Sequence, residues 1–384
     1  MRYLLLRLKR FCGYITGFVF LISGILKLMD PVGAGLIVKE YFHFMHISFL
    51  DCTSKPLGVL LAFSETILGA GLITGVWRRI MTPVIFGLQI FFTLITAVLL
   101  IFNPEMDCGC FGEAVHLSHG ETFIKNIILL ALLLIYYIPA KHLGETKNKK
   151  YVSFGIVTVS VILFAAYSWA HLPLVEFTSF RPGAALEVSS SSVDYEAAFT
   201  YEKDGIQKTF TLENLPDSTW TFVSAQTTAK DGAGQNSSSL SFYDKEGNYA
   251  DSLAVKGNVI IVSLYDTKIG DRKWEKIRNF MENAEEAGFK PILLTSAPVD
   301  ADIDNSYIAD YKTLITLNRS NGGATHFCKG YLISKWPANG YPDSEDLIRI
   351  HSEDITEGII GKETQESLTF QAFLLYIFAI LLLL

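Results

Sequence analysis

The sequence contains little charge for its length. Only 18% of its 384 residues are Asp, Glu, Lys or Arg, against about 25% in a typical soluble protein. It has no basic cluster apart from those that flank apolar segments, and its formal net charge is -7. Because a nucleic-acid-binding surface requires a concentrated positive patch, the sequence predicts no nucleic-acid partner.

Long apolar runs hold most of the hydrophobic residues, which make up 50% of the chain. A membrane helix needs about 20 mostly apolar residues, and a buried helix of a soluble protein is rarely so long without charge. The runs therefore predict six transmembrane helices in a lipid bilayer: Phe11–Met29, Leu57–Val76, Ile80–Phe102, Phe123–Pro139, Val152–Ala170 and the shorter Leu368–Leu384.

No small-x-small cleavage motif follows the first run, so we expect a retained anchor rather than a cleaved signal peptide. Basic residues flank the runs at Arg2–Arg10, Arg78–Arg79 and Lys141–Lys150. All three groups lie on one side of the membrane if the N-terminus is cytoplasmic. The sequence thus predicts a multi-pass protein of a bacterial inner membrane, with a large periplasmic domain over residues 172–367.

Four of the five cysteines fall on the extracytoplasmic side under this topology, where disulfides persist. They are Cys52, Cys108, Cys110 and Cys328, whereas Cys12 is expected to pack within the membrane. Cys108 and Cys110 are separated by one glycine and follow a helix-breaking Asn-Pro pair. A disulfide closed across one residue would be strained, and strained disulfides are oxidising and labile.

Three interpretations of Cys108 and Cys110 follow from the residues alone. The two thiols form a redox pair, or one of them forms a structural disulfide with Cys52, or they bind a metal. The histidines that would complete a metal site are His43, His46, His116 and His119. Their spacing matches no standard zinc pattern, and we predict no metal.

Glu65 is the clearest ionisable residue inside a predicted span. A carboxylate is costly in a membrane, which makes Glu65 a candidate catalytic residue. The simpler explanation is a hydrogen bond to a neighbouring helix, for example to Gln89. Lys27 lies near the outer end of the first span, where its ammonium group can snorkel to water, and we predict no particular role for it.

Residues 11–140 resemble the DoxX-like and MauE-like membrane proteins. The matching segments are Ser23–Lys27 with Asp30–Pro31, Lys39–Phe42, Glu65 with Gly69, Phe92–Thr96, Asp107–Gly112 and Thr122–Asn126. The Cys-Gly-Cys-Phe-Gly signature is the most specific of them. The resemblance implies a membrane domain with a four-helix core over residues 1–140, to which a cytoplasmic loop and fifth helix at 141–171 are added.

The same resemblance implies a redox function. MauE-type proteins are tied to methylamine utilisation, where they help to form disulfides, and DoxX relatives are linked to sulfur-compound oxidation through quinones. For this chain it implies thiol–disulfide chemistry at Cys108 and Cys110, with Glu65 buried nearby, a quinone as electron acceptor and a periplasmic thiol protein as partner.

The segment at 172–367 resembles a degenerate thioredoxin-like domain. A buried strand at Asn258–Tyr265, an amphipathic helix at Asp271–Ala287 and a strand at Lys290–Thr295 come in the expected order. A strand at Thr313–Leu317 and a final hairpin at Ala324–Trp336 complete the prediction. No Cys-x-x-Cys follows the first strand, so this domain cannot act alone as a dithiol oxidoreductase.

Two functions from different classes are therefore expected. The first is thiol–disulfide redox at the membrane surface through Cys108 and Cys110. The alternative is a non-catalytic membrane scaffold or assembly factor whose thioredoxin-like domain binds a periplasmic partner. The predicted fold is an α-helical membrane bundle with an α/β soluble domain, closed by a C-terminal transmembrane helix at 368–384.

Overall fold

Six apolar helices among the described residues are long enough to cross a membrane. The computed structural model describes residues 2–104, 106, 108–137, 146–187, 195–203, 206–211, 221–229, 237–299, 303 and 305–384. They form two units, Met1–Thr178 with Thr364–Leu384, and Ser179–Glu363. The first is called the membrane unit and the second the soluble unit.

The membrane unit is a helical bundle, as predicted. Its helices are α1 (Arg2–Met29), α2 (Pro31–Phe44), α3 (Ser54–Thr74), α4 (Arg78–Phe102), α5 (His119–Tyr137) and α6 (Asn148–Ala170), and it receives most of the last helix, α10 (Ile355–Leu383). A short strand, β1 (Cys110–Glu113), follows α4. The chain therefore crosses the membrane several times, and the soluble unit is inserted between the last two spans.

Helix α2 lies between the first two predicted spans, where the apolar runs predicted no helix. Asp30 caps it, because its carboxylate accepts a hydrogen bond from Gly33 N at 2.9 Å, and Pro31 occupies the first helical position. An acidic cap followed by proline is a helix-start signal. Helix α2 packs closely on the start of α3: a Cβ on Gly58 would lie 2.8 Å from the carbonyl carbon of Ala34.

Helices α1 and α3 approach each other at glycines. A Cβ on Gly24 would lie 2.5 Å from the carbonyl oxygen of Ala62, and one on Gly69 would lie 2.6 Å from that of Gly17. Small residues let membrane helices pack backbone to backbone. This close contact brings polar side chains of the two helices within hydrogen-bonding distance of each other.

The soluble unit is built on a mixed sheet of eight strands in the order β6-β2-β12-β11-β8-β9-β10-β7. These strands are β2 (Ala185–Glu187), β6 (Ser237–Ser239), β7 (Phe242–Tyr243), β8 (Asn258–Leu264), β9 (Lys290–Thr295), β10 (Ser306–Ala309), β11 (Gly323–Cys328) and β12 (Tyr331–Trp336). A separate three-stranded sheet contains β3 (Tyr195–Lys203), β4 (Ile206–Thr211) and β5 (Thr221–Ala229).

Helices of the soluble unit confirm an α/β domain. They are α7 (Asp271–Glu286), α8 (Tyr311–Leu317) and α9 (Ser344–Ser352). Strands β8 and β9 are parallel with α7 between them in sequence, and β11 pairs antiparallel with both β8 and β12. Apolar residues of α7, including Ile277 and Phe280, pack with Ile260 and Val262 of β8. This is the order of elements that the sequence predicted.

The strand predicted at Thr313–Leu317 is wrong, because these residues belong to helix α8. Asp310 caps the helix, and its carboxylate accepts hydrogen bonds from Lys312 N at 2.8 Å and Thr313 N at 3.1 Å. The β-branched residues in this segment favour a strand. The cap, which satisfies amide groups that a helix start leaves unpaired, determines the outcome.

Candidate functional site

Glu65 and Lys27 form an ion pair inside the membrane unit. Glu65 on α3 is 1% exposed and Lys27 on α1 is 9% exposed. The Lys27 ammonium group lies 2.6 Å from Oε1 and 2.8 Å from Oε2 of Glu65. The expected hydrogen bond from Gln89 to Glu65 is not what the structure shows, since the Gln89 amide donates to the backbone carbonyl of Asn126 at 3.0 Å.

Lys27 is a site residue that sequence reasoning missed. Its position near the helix end suggested a side chain that reaches water, but its ammonium group is directed at the Glu65 carboxylate instead. The available signal was the pairing rule for membrane charges: a buried carboxylate requires a cation, and Lys27 is the basic residue within the first span. The two buried charges therefore form one polar centre between α1 and α3.

Ser23 joins this ion pair to the cysteine segment. Its hydroxyl oxygen lies 2.8 Å from Glu65 Oε2 and 2.6 Å from the backbone carbonyl oxygen of Cys110. A hydroxyl carries one hydrogen, so it donates to one of these two acceptors at a time. Ser23 consequently links α1, α3 and strand β1 at a single point.

The segment with Cys108 and Cys110 is held against α2. The Tyr41 hydroxyl donates a hydrogen bond to the backbone carbonyl of Cys108 at 3.1 Å. Burial raises the pKa of Tyr41, so its phenol stays protonated and keeps donating. Cys108 is 6% exposed, whereas Cys110 is partly exposed. All five cysteines lie in the described part of the chain, and none forms a disulfide there.

His119 contacts the thiol of Cys108. The distance from Cys108 Sγ to His119 Nδ1 is 2.9 Å, and that from His119 Nε2 to the carbonyl oxygen of Pro104 is 3.0 Å. Sequence reasoning considered His119 only as a metal ligand. Within the described ranges no three His, Cys, Asp or Glu side chains come together as a metal site, and His43 is paired with Asp51 at 2.8 Å.

A cavity of about 260 Å³ adjoins these groups. Its wall is mostly apolar and is formed by side chains of α1 to α5. The polar groups on the wall include Lys27, Glu65, Ser23, Gln89 and both cysteines, Cys108 and Cys110. The structure thus brings together the three residues that the sequence singled out, Glu65, Cys108 and Cys110, on the wall of one cavity.

Cys52 lies in the 3-10 turn Ser48–Thr53 and is exposed. As a disulfide partner of Cys108 or Cys110 it stays a prediction. Its thiol is not covered by other residues of the protein, which makes it a useful reporter of thiol reagents at the membrane surface.

Gly109 sets the shape of the cysteine segment, and its replacement is a first test of the site. Its φ is +62°, and a Cβ at this position would collide with the side chain of Ile37. We expect Gly109→Ala to cost about 1–2 kcal/mol for the left-handed backbone alone, with the collision in addition, and to change the alkylation rates of Cys108 and Cys110. Gly120→Ala is the matched control, since no heavy atom lies within 4 Å of its added carbon.

Thermal melting of the purified protein and peptide-level alkylation measure the two effects. A Gly109→Ala protein with the melting temperature and thiol reactivity of the Gly120→Ala protein would contradict the prediction. Ile37→Ala in the Gly109→Ala background is expected to recover part of the loss, because it removes the collision but leaves the backbone strain.

The sequence of the soluble unit contains one cysteine, Cys328. Cys328 ends strand β11 and is buried, and this burial raises the pKa of its thiol. A protonated thiol is a poor nucleophile. In the loop where a thioredoxin carries its two cysteines, the Asn321 side chain instead fixes the backbone of Asp266 by two hydrogen bonds of 2.9 Å.

Comparison with known proteins agrees with the geometry of the membrane unit. Residues 3–139 match the family model described as methylamine utilisation protein MauE, and residues 195–230 match one described as a domain of unknown function. The chain is 26% identical over 152 residues to Protein TlpB of Flavobacterium psychrophilum, which is 38% of this chain and 41% of that protein. The matched region thus spans about two fifths of the relative's length.

No solved structure has significant similarity to the chain. The family match covers α1 to α5 and includes every residue of the site described above, from Ser23 to His119. On this evidence, the N-terminal part of the chain is a MauE-like membrane domain.

Proposed function

We propose that the protein carries out thiol–disulfide exchange at the extracytoplasmic surface of a bacterial inner membrane, with Cys108 and Cys110 as the working pair. The observation that supports this most directly is the position of both thiols on the wall of a cavity beside a buried ion pair. A membrane protein retains buried charges where they serve a function, because their desolvation is costly.

In this proposal Glu65 is a positioning residue that acts through its neighbours. Its carboxylate is neutralised by Lys27 and contacts Ser23, and Ser23 in turn contacts the carbonyl oxygen of Cys110. The ion pair therefore holds the backbone of the second cysteine. The orientation follows the basic residues: N-terminus in the cytoplasm, residues 172–367 in the periplasm, and the partner a periplasmic thiol protein.

Formation of a disulfide from two thiols releases two electrons and two protons, which need an acceptor. A quinone is the acceptor included in the proposal, and it supplies two-electron redox chemistry when bound. The cavity beside Cys108 and Cys110 fits a single apolar ring, since its volume of about 260 Å³ is close to the lower end of typical small-molecule sites, roughly 300–1,000 Å³. Gln89 and Lys27 offer hydrogen-bond donors on its wall.

Alkylation of intact cells tests the exchange and the orientation together. A membrane-impermeant maleimide is expected to label exposed Cys52 from outside, and to label Cys108 and Cys110 in amounts that increase after mild reduction. Cys108→Ser or Cys110→Ser is expected to trap a mixed disulfide with a second protein. A pair that reacts equally before and after reduction, with no trapped species from either variant, would show that the thiols do not exchange.

The alternative function, a scaffold or assembly factor, is supported by the soluble unit. Residues 172–367 contain one cysteine, Cys328, and it is buried with a raised thiol pKa. This domain would then serve to bind a partner rather than to transfer electrons. A Cys108→Ser, Cys110→Ser double variant that fully replaces the wild-type protein in the cell would favour the scaffold.

A further inference from the structure

We propose that His119 is the catalytic base of Cys108, and that Cys108 is therefore the attacking thiol of the pair. The inference rests on the proposed function, because it assigns roles within the same thiol chemistry. It is carried by a contact that neither the sequence pattern nor the family match assigns: the 2.9 Å distance between Cys108 Sγ and His119 Nδ1.

The hydrogen bonds of the imidazole determine which nitrogen can accept a proton. His119 Nε2 lies 3.0 Å from the carbonyl oxygen of Pro104, and a carbonyl oxygen can only accept. Nε2 therefore carries the hydrogen in the neutral ring, and Nδ1 presents a lone pair to the thiol of Cys108. A nucleophile in contact with a base that a third group orients is the arrangement that activates cysteine in enzymes.

The local fold fixes both ends of this arrangement. Ser118 and Glu121 form a reciprocal pair at the start of α5, with Ser118 N to Glu121 Oε2 at 2.9 Å and Glu121 N to Ser118 Oγ at 3.3 Å. Such a capping box holds the first helical turn, which contains His119. At the end of α4, the carbonyl oxygen of Pro104 also accepts a hydrogen bond from Met106 N at 2.9 Å.

The exchange step balances with a protein disulfide as co-reactant. As Cys108 Sγ attacks one sulfur of that disulfide, its proton passes to His119 Nδ1, an S–S bond forms to Cys108 and the partner's S–S bond breaks. The leaving thiolate takes the proton from Nδ1. The Cys110 thiol then attacks Cys108 Sγ: a new S–S bond forms between the two cysteines, the bond from Cys108 to the partner breaks, and the proton of Cys110 passes to the second partner sulfur, which leaves as a thiol. The partner disulfide is reduced by two electrons and the Cys108–Cys110 pair is oxidised, and the reverse sequence oxidises a partner dithiol.

Two replacements of His119 separate a basic role from a structural one. Asn places an oxygen near the position of Nδ1 and preserves an acceptor for the thiol, whereas Gln places a donor near the position of Nε2 and preserves the bond to Pro104. Neither amide is a base. His116→Gln is the matched control, because it changes a histidine three residues before His119, in the segment that leads into α5.

The experiment measures methylthiolation of the reduced, full-length protein in lipid nanodiscs by methyl methanethiosulfonate, read for the Cys108 peptide by mass spectrometry. An ordinary thiol is only about 3% ionised at pH 7. We expect wild type and His116→Gln to react at rates that rise by less than about fivefold between pH 6 and 8, because the neutral, basic fraction of an ordinary imidazole rises only about fourfold over this range. At pH 7, both His119 variants are expected to react roughly 30-fold more slowly than wild type. Their rates are expected to rise about tenfold for each unit of pH, because only the ionised fraction of the thiol then reacts.

The inference would be overturned if both His119 variants reacted with the reagent as fast as wild type across this pH range. If neither variant folds, the wild-type profile decides the matter alone, because a tenfold rise per pH unit in wild type shows that Cys108 has no base. The outcome is distinguishable from failure of the proposed function. Slow methylthiolation in the His119 variants, together with thiols that never exchange in cells, would retain the base and reject the exchange role.

Discussion

Replacement of Lys27 by Met is expected to destabilise the membrane unit by about 3–5 kcal/mol, the typical loss when one partner of a buried ion pair is removed. Glu65 is 1% exposed and would lose the ammonium contacts at 2.6 and 2.8 Å. Ser23 alone would then have to stabilise the carboxylate. The free energy of unfolding can be measured by titration with SDS in mixed micelles.

The double variant Lys27→Met, Glu65→Met provides the control for this experiment. Replacement of both partners by apolar side chains of similar size is often neutral or stabilising, because no charge then needs to be desolvated. We expect the double variant to recover most of the stability that Lys27→Met loses. A single variant as stable as wild type would show that the ion pair does not hold α1 against α3.

Acidification is expected to destabilise the soluble unit through His326. The ring is 3% exposed on strand β11, and burial, with a smaller effect from His351, lowers its pKa from 6.5 to about 4. Between pH 6.5 and 4, the His326 ring therefore binds a proton in the unfolded chain but stays neutral in the folded chain. The contribution of the neutral ring to the free energy of unfolding is fully present above pH 6.5 and decreases as the pH drops from 6.5 to 4. Below that range the free energy of unfolding is lower by about 3 kcal/mol.

Hydrogen exchange of the amides of β8 and β11 in the full-length protein measures this loss. His326→Gln does not titrate and is expected to lose about 3 kcal/mol less than wild type between pH 7 and pH 4. His351→Gln is the control, and it should retain most of the acid sensitivity because burial is the main cause of the shift. An unchanged pH dependence in His326→Gln would contradict this assignment.

Single segments of the sequence predicted most of the architecture. The apolar runs located the spans of the membrane unit, and the alternation of strand and helix patterns between Asn258 and Trp336 predicted the α/β domain. These features depend on residues that are close in sequence. The error at Thr313–Leu317 arose where β-branched residues favoured a strand and a cap outside the segment, at Asp310, favoured a helix.

The contacts within the site depend on residues that are distant in sequence, and periodicity does not report them. Lys27 and Glu65 are 38 residues apart and meet because glycines let α1 and α3 approach. His119 is 11 residues from Cys108 and contacts it only because the chain reverses direction between α4 and α5. The residue types suggested chemistry, but the pairing of each residue required the fold.

The insertion of the soluble unit between α6 and α10 has a mechanical consequence. Because helices on both sides of it are long and apolar enough to cross a membrane, this unit is tethered at two points. A single proteolytic cut within it would leave both fragments membrane-bound, so shedding would require two cuts.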